Sequence, residues 1–156
     1  MKFRRLTKDE LETLTEDFTI FLATQGIDKE QWDEFKENDL KKVDGVLDVF
    51  SDMIFEKALA SCRYMERISE TEMHTYLFNE KNAHLVSVRM KDAGDANFLD
   101  GHLSDVFMDL LKHQKIEIWQ GMKEFKKDRS SEMFEIMQTG AVMSKGELYR
   151  TLIKLL

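Results

Sequence analysis

The chain has 156 residues, 42% of them apolar with eleven Phe and ten Met, which excludes a disordered chain and suffices for a core within a single domain. A formal net charge of −7 excludes a generic polyanion binder and argues against an anionic membrane surface as partner. The lone Cys62 excludes an internal disulfide and fits a reducing cytoplasm.

The opening MKFRRLTKDELE carries no apolar run behind its arginines, so it does not read as a secretory leader. Thr7 followed by Glu10 is a capping box, and Leu11, Leu14, Phe18, Phe21 and Leu22 form one apolar stripe, predicting a helix over about residues 8 to 25 that closes at Gly26. Asp28 with Gln31 caps a shorter helix bearing Trp32 and Phe35. The third helix is expected over about residues 39 to 60. There Asp44, Asp48, Asp52 and Glu56 recur at four-residue steps, sweeping about 120° of one flank. Phe55 and Leu59 fall among these acids, which predicts a covered flank.

From Cys62 the period shortens. Cys62 to Ile68, Met73 to Phe78 and Ala83 to Met90 read as strands, with Asn79 to Asn82 closing an antiparallel hairpin. Pairing Phe78 with Ala83 would set His74 opposite Ser87 and His84 opposite Leu77. Gly94, in KDAGDAN, marks a loop. Phe98 to Leu111 returns to helical spacing, and Lys115 to Trp119 alternates as a strand that can join the sheet. Ser130 to Gln138 and the segment after Ser144, where Glu147 completes a second capping box, predict two closing helices. The expected fold is α+β: helical over 1–61, mainly strand over 62–92, helix and strand over 98–119, and a helical pair over 128–156. No linker or repeat divides the chain, and no stretch of about eighteen apolar residues offers a membrane span.

Three readings compete for function. Asp48, Asp52 and Glu56 on the acidic flank, with Arg4, Arg5 and Arg67 as the expected cations, form the candidate cluster, read first as a salt-bridged seam in which arginines hold Asp52 and Glu56. A divalent cation on Asp48 and Asp52 with a loop acid is the rival reading, because hard cations take oxygen ligands from more than one element. Residues 122 to 156 carry seven Lys and Arg against five Asp and Glu, and their helical pair has the outline of a helix-turn-helix. Its second helix, bearing Lys145, Arg150 and Lys154, is short of the basic and amide side chains that read base edges, and the whole chain is acidic, so nucleic acid is the less favoured partner. His74, His84, His102 and His113 lie at no zinc spacing, the serines occupy no nucleophile elbow, and Cys62 has no base beside it, so neither an enzyme nor a cofactor is expected.

MKFRRLTKDELE, FLATQGI, VFSDMIFEKAL and KKDRSSEMFEIMQTGAVMSKGELYRTL, in that order along the chain, resemble an uncharacterised Bacteroidetes family of small proteins catalogued as a domain of unknown function. The resemblance implies a bacterial cytoplasmic protein and assigns no residue a role. The expectation is a cytoplasmic binding module without membrane contact, acting through an unidentified protein partner or by self-association as a homodimer, since methionine-rich faces adapt to partners.

Overall fold

Turn chemistry along the chain fixes where its helices begin and end. The computed structural model describes residues 1–92, 94 and 96–156, and over them the chain forms seven helices and a five-stranded antiparallel sheet, an α+β fold. The loop expected around Gly94 runs through Ala93 and Asp95, which lie outside the described residues. Two compact units follow from the backbone contacts, residues 1–60 and 61–156.

The first unit is helical. Thr7 and Glu10 form the expected capping box at the start of α1 (Lys8–Thr13). The predicted first helix is nevertheless two, α1 and α2 (Thr15–Thr24), parted at Leu14 with φ −110° and ψ 21°. The hydroxyls of Thr13 and Thr15 each donate to a carbonyl three residues back, at 2.8 Å. Such side-chain bonds compete with the helical ladder, and periodicity does not register them. Gly26, at φ 71°, ends α2 in the left-handed conformation that glycine adopts without strain. α3 (Lys29–Asn38) starts from the Asp28–Gln31 capping box, and α4 (Leu40–Ser61) carries the acidic column. Phe50 of α4 is fully buried, its ring 4.9 Å from Phe18 and 5.3 Å from Phe21 of α2.

In the second unit β1 (Tyr64–Ile68), β2 (Glu72–Phe78) and β3 (Asn82–Met90) form a meander. Phe78 pairs with Ala83, so His74 faces Ser87 and His84 faces Leu77, as the hairpin reading anticipates. α5 (Leu103–Lys112) begins later than periodicity suggests, because the Asn97 side chain accepts the Leu99 N–H at 2.8 Å and turns the chain first. β4 (Ile116–Glu124) joins β3, α6 (Arg129–Gln138) follows from an Asp128 cap, and β5 (Val142–Ser144) adds to the far side of β1 before α7 (Glu147–Ile153). The strand order is β4-β3-β2-β1-β5.

One sheet face carries Met73, Val86, Val88, Met90 and Ile116, which pack with Phe107 and Leu110 of α5 and Tyr149 and Leu152 of α7. The second capping box does not form: Ser144 stays in β5 and accepts the Gly146 N–H at 3.1 Å, leaving Gly146 as the cap. Gly146 has φ 78°, and a Cβ there would lie 2.5 Å from the Tyr64 ring, so only glycine fits. No described helix is long and apolar enough to cross a membrane.

Candidate functional site

The acidic column of α4 is met by the chain's own amino-terminal residues. Arg5 donates from Nε to Asp48 at 2.7 Å and from Nη1 to Asp44 at 2.7 Å. Asp52 accepts two backbone N–H groups, from Lys2 at 2.7 Å and Phe3 at 2.9 Å, and Lys2 Nζ reaches Glu56 at 2.9 Å. Leu6 N–H donates to Ser51 Oγ at 3.0 Å, and that hydroxyl donates in turn to the Leu47 carbonyl. Residues 2–6 therefore form a strap fastened along one helix flank by side chains of α4. Phe55, the ring predicted to lie under cover among the acids, is buried and lies 5.8 Å from the Phe3 ring.

The arginines expected on Asp52 and Glu56 are placed otherwise. Arg4 forms a two-pronged pair with Glu10, both contacts at 2.7 Å, and lies 5.0 Å over Phe55. Arg67 belongs to the second unit, where it donates to the Thr139 carbonyl at 3.4 Å. Backbone N–H groups and a lysine supply what guanidinium groups were expected to supply, and sequence spacing cannot foresee a main-chain donor. Glu10, held by Arg4 and by the Thr7 N–H, has its carboxyl lowered to about 2. The two carboxylates beside Arg5, Asp48 first, raise its pKa further. Among the described residues no three His, Cys, Asp or Glu side chains gather as a metal site.

Arg5→Ala should lower the unfolding free energy by about 1 kcal/mol in dilute buffer, and less in about 1 M salt, because exposed pairs are weak and screened. Arg67→Ala should change it by less than about 0.5 kcal/mol. Thermal melts at both ionic strengths check this, and a larger loss for Arg67→Ala contradicts the assignment.

On the sheet face that carries His74, Ser87 and Trp119, Ser87 Oγ lies 2.7 Å from His74 Nδ1, and His74 Nε2 lies 3.3 Å from Glu72. Arg89 donates to Glu72 at 2.6 Å, which with His74 holds that carboxyl below its ordinary range, and stacks 5.3 Å from Trp119. The order of groups mimics a hydrolytic triad, but Ser87 is 0% exposed, so a substrate carbonyl has no approach to it. The set is a polar lattice binding β2, β3 and β4 together. Cys62 is likewise buried, which pushes its thiol up and keeps it protonated.

The carboxyl-terminal helical pair is present as α6 and α7, with β5 between them in place of the short turn of a helix-turn-helix. α6 supplies a side chain that the sequence does not single out. Glu132, 2% exposed, accepts from Lys123 Nζ at 2.5 Å and from the N–H groups of Lys126 and Lys127 at 2.8 and 3.1 Å. Those bonds, Lys123 first, bring its carboxyl down to about 2.

β4 is the longest edge the sheet leaves open. In its register with β3, Phe125 donates to Lys81 and Lys91 donates to Lys115, just beyond the two ends of the paired strands. Odd-numbered residues of β4 therefore turn their N–H and C=O toward β3, and Ile118, Gln120, Met122 and Glu124 turn theirs outward. Among the described residues no strand pairs with that side. Residues 119–124 are all exposed, Met122 at 65%. The Gln120 side chain leaves the edge clear by accepting inward contact from His84 Nε2 at 3.0 Å.

Fold and site together define an α+β protein whose antiparallel sheet ends in a nine-residue edge strand with one side unpaired among the described residues. The whole chain, residues 1–156, matches the family of unknown function DUF6495 and belongs to it. No curated protein and no solved structure matches the chain.

Proposed function

We propose that the protein is a cytoplasmic protein-binding module whose contact surface is the outer edge of β4, where it accepts an added strand. The observation that supports this is the row of outward N–H and C=O groups at Ile118, Gln120, Met122 and Glu124 on a nine-residue edge strand. Open edges are templates for strand addition, and proteins that do not use them shorten them, bulge them, charge them or place proline there; β4 is long and carries charge only at Glu117, Lys123 and Glu124. This chain contains no proline. Trp119 and Met122 add exposed apolar contact area beside the free backbone groups.

Met122→Pro tests the reading. The Met122 N–H faces away from β3, so proline removes a donor needed for strand addition without breaking a β3–β4 bond. The variant should melt within about 3 °C of the parent chain. It should also lose concentration-dependent association in light scattering and fail to retain proteins that the parent chain retains. Equal association and equal retention by the two chains would overturn the reading.

A further inference from the structure

Resting on the reading of β4 as a contact edge, we infer that its occupant is β4 of a second copy of this chain, paired antiparallel about a two-fold axis through Gln120. The strand reads Ile116, Glu117, Ile118, Trp119, Gln120, Gly121, Met122, Lys123, Glu124. Centred on Gln120, the pairing sets Glu117 against Lys123, Ile118 against Met122 and Trp119 against Gly121, each twice by symmetry, and only the end pair Ile116–Glu124 sets an apolar residue against a charge. Ile118, Gln120 and Met122 then meet as hydrogen-bonded pairs, which matches their outward N–H and C=O groups. Glu117–Lys123 and Trp119–Gly121 fall at the closer non-hydrogen-bonded pairs, where opposite charges attract most and a large ring needs a small neighbour. Among the described residues, and apart from its two chain neighbours, nothing lies within 4 Å of where a Gly121 Cβ would be, so the space over Gly121 that the partner's ring would enter is open.

Neighbouring registers lack this match. Centring on Trp119 sets Lys115 against Lys123 and Glu117 against Gly121, and centring on Gly121 sets Lys123 against Trp119, so both lose the Glu117–Lys123 pair. Charges that merely guard an edge repel a second copy, whereas these attract it when the strand is reversed. Lys123 keeps its bond to Glu132 in this arrangement, because an ammonium group has three donors.

The test measures self-association of the full chain by sedimentation and light scattering. Glu117→Lys replaces two attractions by two repulsions in the dimer and should weaken it at least about tenfold. Lys123→Glu should do the same, and the double variant should recover to within about threefold of the parent. Since Lys123→Glu places an acid beside buried Glu132 and can unfold the chain, Gly121→Val serves independently: the monomer has room for it, and the dimer meets it with Trp119. It should leave the melt unchanged and weaken association at least about tenfold. A dimer that Met122→Pro abolishes but Glu117→Lys and Gly121→Val leave intact overturns this register while the edge reading stands. A parent chain that stays monomeric up to about 1 mM, a range spanning ordinary weak affinities, overturns the second copy as occupant. Binding to another protein that Met122→Pro then removes would leave the edge reading in place.

Discussion

Phe3→Ala is expected to lower the unfolding free energy by about 3 kcal/mol, the usual loss for truncating a buried aromatic ring. Phe3 is 8% exposed, its ring faces Phe55 at 5.8 Å, and its N–H is held by Asp52 at 2.9 Å. The ring is the apolar anchor of the amino-terminal strap, and its removal leaves a cavity beside Phe55. The strap's charged contacts contribute far less, since Lys2–Glu56 is an exposed pair. Lys2→Ala should therefore cost less than about 0.5 kcal/mol. Urea titrations of the two variants decide the order. Comparable losses for both would mean that charge rather than the buried ring holds the strap.

Glu132→Ala should cost about 3 kcal/mol for a different reason. It empties a side-chain site that is 2% exposed and takes their common acceptor from the Lys123 ammonium and the Lys126 and Lys127 N–H groups, and hydrogen bonds to a charged group are worth about 1.5–3 kcal/mol. Glu132→Gln keeps the side-chain oxygen and should lose about half as much. The acid limb of stability follows from the same carboxylate. Glu132 and Glu10 both fall to about 2 from an ordinary 4.5, so the folded chain releases these protons more readily than the unfolded chain. Their contribution is complete above about pH 4.5 and is lost as pH falls toward about 2. Denaturant titrations between those limits should show stability falling with pH, and the slope should flatten in Glu132→Gln. An unchanged acid slope in that variant would contradict the assignment.

Much of the architecture was legible in the sequence where local chemistry and long-range packing agree. The Thr7–Glu10 and Asp28–Gln31 boxes, the Gly26 terminus and the Asn79–Asn82 hairpin all form where their residue types place them. The burial of Phe55 was legible because an aromatic ring among acids demands a cover. What covers it was not, since the donors to Asp52 are main-chain N–H groups that no pattern of side chains announces. β4 was underestimated beyond Trp119 for a related reason: past Ile118 the strand has no buried residue, so Gln120 to Glu124 show no apolar alternation. β5, three residues long, is held by its pairing with β1 rather than by its own propensity. That pairing also withdrew Ser144 from the capping box expected of it.

Amide hydrogen exchange along β4, followed residue by residue as protein concentration is raised, tests the contact edge most directly. In dilute solution Trp119, Gly121 and Lys123, whose N–H groups face β3, should be protected while Ile118, Gln120 and Met122 exchange freely. At high concentration the second set should become protected as well. Free exchange of Ile118, Gln120 and Met122 at every concentration, with their odd-numbered neighbours still protected, would contradict the account.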